Sequence, residues 1–217
     1  MTARVIRDDD AGRAVAIEAL REGGVIALPT DTVYGIAVTL DTPGGIERLF
    51  QVKRRPPDRG IILLLDDAGQ AARIGIMTPA AAALAAGGWP GGLTVVVPQR
   101  RDKRLPEALT GGAPSIGLRV PDHHAPRSIA RAIGPLPTTS ANISSLPEAG
   151  DAATILEQLG DDIDLILDGG PAPGGPPSTI VECTAELPTI LREGAMPRNE
   201  VVEILDAAGV EHDLRRD

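Results

Sequence analysis

The sequence predicts an α/β fold, a single domain built on a twisted mixed sheet with flanking helices. Short apolar runs alternate with amphipathic or polar segments along the whole chain, without an internal repeat or a low-complexity linker. Two of those runs, 25–28 and 61–65, contain only Ala, Val, Leu and Ile, as strands covered on both faces do. The length agrees, because 217 residues suffice for one well-buried domain and fall short of two ordinary ones.

In chain order, residues 1–10 read as a polar entry segment, with Asp8-Asp9-Asp10 supplying a cap and early carboxylates for a helix over 11–22. Gly23-Gly24 ends that helix, and the run 25–28 surfaces in the polar turn Pro29-Thr30-Asp31-Thr32. An amphipathic stretch over 45–52 follows, and then Lys53-Arg54-Arg55-Pro56-Pro57-Asp58-Arg59 sets four cations within seven positions. The apolar strand 61–65 comes next. Two buried strands thus bracket the turn and the cationic loop, which is how such a sheet delivers polar groups to a crevice at its strand ends.

Asp66 opens a polar helix-like segment, 79–86 reads as a short Ala-rich helix entered through Pro79, and the glycines of 87–92 read as irregular. A strand is expected at 93–97, an exposed charged segment at 99–112, a strand at 115–121 with Arg119 near its exit, and a helix at 126–133. Thr138-Thr139-Ser140-Ala141-Asn142 reads as a second small-polar turn at a strand end. A helix at 151–159, a strand at 164–167, a Gly/Pro loop at 169–177, paired strands at 178–181 and 189–192, and a helix at 198–208 complete the chain, with a frayed tail at 209–217.

Composition narrows the function. A formal net charge of −9 argues against broad nucleic-acid binding, and single copies of Phe, Tyr and Trp leave almost no platform for stacking bases. Cys183 is alone, so neither an internal disulfide nor a thiolate metal cluster is available. With no secretory leader pattern and no apolar run long enough to span a bilayer, the cytoplasm is the expected setting. The P-loop, dinucleotide-binding, nucleophile-elbow and H-E-x-x-H signatures are missing. His123-His124 and His212 lack ligand-spaced partners and read as loop residues, and Cys183 reads as a small core residue. What remains is a scatter of small polar and cationic residues at strand ends: Thr30, Asp31, Thr32, Lys53, Arg55, Arg59, Ser115, Arg119, Ser140, Asn142, Ser178 and Arg192.

Seven motifs in order, ALPTDTVYG, K-x-R-P, WPGGLT, LRVP, TSANIS, STIV and ILREGA, span 27–195. In these the chain resembles the threonylcarbamoyl-AMP synthases of the YrdC/Sua5 type. The resemblance implies one YrdC-like domain whose sheet folds around a large concave, positively charged cavity. It implies nucleotidyl transfer: L-threonine, bicarbonate and ATP, with Mg²⁺, give L-threonylcarbamoyladenylate and pyrophosphate. That product is the donor for N6-threonylcarbamoyladenosine (t6A37) in tRNA, so tRNA and the t6A transferase machinery are implied partners, with no membrane. Lys53 and Arg55 are the implied catalytic residues. Arg55, Arg59, Ser115, Ser140, Asn142 and Arg192 would bind ATP, and Thr32, Arg119 and Ser178 would bind threonine. All reactants are anionic, so fixed cations and hydroxyls suit the chemistry without a strong general base.

The chain departs from the family pattern in places. Arg54 stands for a glycine, Arg59 for a lysine, Gly60-Ile61 for Pro-Leu, Ser145 for a common glycine and Pro176-Pro177 for Val-Glu. Leucines occupy 64 and 65, near which the family often has a histidine. The longer Sua5 form adds a C-terminal domain, for which no residues are expected here. Two other classes stay open: a paralogue that binds ATP or makes another carbamoyl- or acyl-adenylate, and a non-enzymatic RNA or ribosome-assembly module.

Overall fold

A computed structural model describes residues 2–54, 61–102, 105–144 and 146–215. Its elements, in chain order, are β1 (Arg4–Arg7), α1 (Asp10–Arg21), β2 (Ile26–Leu28), β3 (Gly35–Ala37), α2 (Gly45–Val52), β4 (Ile62–Leu64), α3 (Ala68–Ile74), α4 (Pro79–Gly88) and β5 (Leu93–Pro98). They continue with α5 (Glu107–Thr110), β6 (Ser115–Arg119), α6 (His124–Ile133), β7 (Leu136–Ser140), α7 (Ala152–Leu159), β8 (Leu165–Asp168), β9 (Thr179–Glu182), β10 (Thr189–Arg192) and α8 (Arg198–Ala207). The strands form one open mixed sheet in the order β1-β8-β2-β3-β7-β4-β6-β5-β9-β10. The pairs β1/β8, β2/β8, β4/β6 and β5/β9 run parallel, and the neighbours joined by the shortest connections, β2/β3 and β9/β10, run antiparallel.

Side-chain alternation along the strands assigns each residue to one of two faces. Val25, Ala27, Ile36, Ile61, Leu63, Leu65, Leu93, Val95, Ile116, Leu118 and Val181 point to a face covered by α2, α3, α4, α5, α7 and α8, whose apolar sides close the larger core. The opposite face is covered differently. There α1 and α6 pack Ala16, Leu20, Ala125, Ile129 and Ala130 onto Ile26, Leu28, Leu64, Leu136, Leu165 and Leu167. Among the described residues, the strand members of this second cluster come from β1, β8, β2, β3, β7 and β4.

Local signals behave as the chemistry demands. Asp9 caps α1 by accepting from Gly12 N, Asp67 caps α3 through Gln70 N, and Asp151 caps α7 through Thr154 N. Among the described residues no helix is long and apolar enough to cross a membrane.

Several local expectations are corrected. The polar entry segment contains β1, which pairs in parallel with β8 although only Val5 and Ile6 of its four residues are apolar. β3 opens on Gly35, and an added Cβ there would lie 2.6 Å from Thr138 Cγ2, so the glycine permits close packing on β7. Thr138-Thr139-Ser140 are not a turn but the end of β7, paired with β3. Gly87 and Gly88 continue α4, where a Cβ would press on Ile204 at 2.9 Å and Leu93 at 2.7 Å. The charged segment 99–112 buries Leu109 completely through α5. Beyond α8, where fraying was expected, Leu214 is buried and its carbonyl accepts from Arg198 Nη1 at 3.2 Å.

Candidate active site: a cleft between three polar walls

The turn after β2 builds one wall. Thr30 Oγ1 donates to Val33 O at 2.7 Å and accepts from Thr32 N at 3.1 Å, so the turn holds itself in shape. That shape presents Asp31 and Thr32 to Arg119 at the end of β6. Arg119 donates from Nη2 to Asp31 Oδ1 at 2.7 Å, from Nη1 to Thr32 Oγ1 at 3.0 Å, and from Nε to Gly91 O at 2.9 Å. These bonds engage three of the five guanidinium N–H groups. The guanidinium is buried; desolvation lowers its pKa, the Asp31 carboxylate opposes that effect, and Arg192 adds to it.

The second wall comes from β9 and β10. Arg192 directs Nε and Nη2 onto Ser178 O, at 3.1 and 2.7 Å, and Nη2 also reaches Ser178 Oγ at 3.3 Å. Ser178 Oγ lies 2.8 Å from Thr94 Oγ1 on β5, so β5, β9 and β10 are tied together at the cleft edge. Burial lowers the Arg192 pKa, with Glu148 pulling the other way.

The third wall is the exit of β7. Lys53 follows α2 directly and is buried, and its Nζ donates to Ser140 O at 2.7 Å, Asn142 O at 2.9 Å and Asn142 Oδ1 at 2.9 Å, with Ser140 Oγ at 3.2 Å. Asn142 Nδ2 in turn donates to Ile143 O and Leu146 O, at 3.0 and 2.7 Å. The ammonium therefore anchors the backbone that carries Ser140.

Between the walls lies a cleft of about 200 Å³ lined by residues that include Thr30, Thr32, Arg119, Ser140, Ser178 and Arg192, the last five of them expected to bind substrate. Lys53 and Asn142 stand behind that lining. Ser115 is not in the lining; it shares the face of Arg119 but lies four residues away along β6, about 13 Å at the usual strand rise. Arg192, expected with the nucleotide, is bonded to Ser178, expected with threonine. Arg55 and Arg59 lie outside the described residues.

Tyr34, Thr138, Thr139 and Glu148, which the sequence did not place among the site residues, also line the cleft. Tyr34 was visible inside ALPTDTVYG; its hydroxyl donates to Gly170 O at 2.6 Å and accepts from Gly169 N at 3.0 Å, fastening the Gly/Pro loop beside the cleft. Burial raises its pKa. Glu148 belongs to none of the seven motifs and had no signal of its own.

An open mixed sheet with two arginines and a ring of hydroxyls, gathered from distant segments into one cleft, defines an α/β protein equipped to hold anionic ligands. The chain belongs to the Sua5/YciO/YrdC family, whose model, described as "Telomere recombination", matches residues 18–194. A threonylcarbamoyl-AMP synthase of Bacillus subtilis (strain 168) is 31% identical over 95% of this chain and 60% of its own length. One from Vibrio parahaemolyticus is 34% identical over 82% of this chain and 96% of its own length. The crystal structure of P. abyssi Sua5 complexed with L-threonine superposes with a TM-score of 0.87 at 29% identity, covering 97% of this chain and 61% of that one. The chain therefore spans about three fifths of the length of the B. subtilis relative and of the P. abyssi structure.

Proposed function

We propose that this chain is an L-threonylcarbamoyladenylate synthase, which makes the activated donor for t6A formation in tRNA. The observation that carries this reading is the buried guanidinium of Arg119, held by Asp31 and Thr32 with two N–H groups left over, in the same cleft as Arg192, Ser140 and Ser178. The name of the relatives and the L-threonine complex of P. abyssi Sua5 support it.

In this reading the carboxylate of threonine docks on Arg119, with Thr32 and Ser178 beside it. The threonine amine forms a C–N bond with the carbon of bicarbonate or CO2, and water or a proton leaves. The resulting carbamate oxygen then attacks the α-phosphorus of ATP while the bond to pyrophosphate breaks. Arg192 and Ser140 would stabilise phosphoryl oxygens, together with Arg55 and Arg59 of the cationic loop. Lys53 acts as a positioning residue that holds Ser140 and Asn142, and Ser115 would reach the nucleotide further along β6. Among the described residues no group of three His, Cys, Asp or Glu could hold a metal. Mg²⁺ would accompany the triphosphate.

Pyrophosphate release, followed with ATP, bicarbonate and single amino acids, tests the reading. Release should require both threonine and bicarbonate and yield threonylcarbamoyl-AMP by mass. Turnover with another amino acid, or with none, but not with threonine would overturn it.

A further inference from the structure

Leu64 pairs with Arg119 in the parallel β4/β6 ladder, and Ile62 pairs with Gly117. Both aliphatic side chains line the cleft, Ile62 half-buried and Leu64 buried at its base, where it also packs in the core under α1 and α6. Paired residues on adjacent strands sit about 5 Å apart on one face, so an aliphatic strip runs along the floor beside the stem of Arg119. Gly117 keeps that floor low. A Cβ there would come within 3.0 Å of Ile62 Cγ2 and 3.3 Å of Thr94 Cγ2, so no side chain of β6 intrudes between the strip and Arg119. At the tip of Arg119 the surroundings are polar: Thr32 Oγ1 accepts from Nη1, and Thr30 Oγ1 lies 3.2 Å from Thr32 Oγ1.

We propose that Ile62 and Leu64 form the seat for the β-methyl group of the amino-acid substrate, and so set the preference for L-threonine over L-serine. The proposal rests on the reading above, in which the substrate carboxylate docks on Arg119. A substrate held there has hydroxyl partners near the guanidinium tip and hydrocarbon along the floor. Its β-carbon therefore satisfies both surfaces when it carries a hydroxyl and a methyl in one configuration. L-Serine leaves the strip uncovered. L-allo-Threonine exchanges the two groups, turning its hydroxyl toward Ile62 and Leu64 and its methyl toward the threonine hydroxyls. One methyl group on such a wall is worth about tenfold in kcat/KM or somewhat more.

The test is pyrophosphate release by the wild-type protein and by Leu64→Val and Ile62→Val, measured with L-threonine, L-serine and L-allo-threonine. The wild type should favour L-threonine over each of the others by about tenfold, and each trimmed variant should lower the threonine-to-serine ratio by about threefold, with serine turnover changed less. Equal use of L-threonine and L-allo-threonine by the wild type, or an unchanged ratio in both folded variants, overturns the proposal while leaving the synthase reading in place. No release with any of the three amino acids overturns both. If a variant does not fold, the wild-type comparison of the two threonine diastereomers decides.

Discussion

Arg119 Nη2 and Asp31 Oδ1 lie 2.7 Å apart, with the arginine side chain 4% exposed and the aspartate 15%. The pair joins the end of β6 to the turn after β2, so the cation facing the cleft is oriented before any ligand arrives. Turn residues and core arginine thereby become one unit. Replacing Asp31 with alanine would leave a desolvated guanidinium without its counter-charge, and stability should fall by about 3 kcal/mol. Chemical denaturation measures this, and an unchanged midpoint would show that the pair contributes nothing.

Lys53 should behave as a structural cation. Lys53→Met removes the donor from the carbonyls of Ser140 and Asn142, so a loss of about 3 kcal/mol should accompany the loss of turnover. Urea unfolding beside a pyrophosphate assay checks the coupling. Full stability with lost turnover would instead indicate direct contact with the ligand.

His123 gives the fold an acid sensitivity. Its Nδ1 accepts from Ala125 N at 3.2 Å as the cap of α6, and burial lowers its pKa below the ordinary 6.5 against the upward pull of Asp8 and Asp31. His124 and Arg13 reinforce the lowering. A depressed folded-state pKa means that this contribution is present above pH 6.5 and is lost as pH falls through the lowered value. His123→Asn, which keeps a capping side chain that does not titrate, should reduce the loss of Tm between neutral pH and pH ~5. The same Tm loss in the variant and the wild type would count against the cap.

Cys183 should be inert while the protein is folded. Burial pushes its thiol from 9.0 up to about 12, and the side chain lies in the larger core. A thiol reagent near pH 8 should label it only after denaturation. The raised value also means that its contribution to stability is complete below pH 9.0 and is lost as pH rises toward 12. Rapid labelling of the native protein would contradict this placement.

Elements with strong local signals were legible from the sequence. The amphipathic stretch 45–52 coincides with α2, and the apolar runs 25–28 and 61–65 contain β2 and β4. β1 and β3 were not, because four residues with two arginines and three residues beginning at glycine carry little periodicity, and their strand character comes from the neighbours they pair with. Of the candidate site residues, Thr32, Arg119, Ser140, Ser178 and Arg192 meet around the cleft, whereas Lys53 turns its ammonium inward.

The sequence by itself determined the alternation of elements, the α/β class and the set of hydroxyls and cations from which a site for anions could be made, since these depend on residue type and near-neighbour spacing. Tertiary structure alone decided which of them share a cleft, that Asp31 restrains Arg119, and that Leu64 lies beside Arg119 on the floor. Those relations depend on strand order and register, which bring residues more than fifty positions apart into contact. No local pattern encodes them, because they follow from which strands pair.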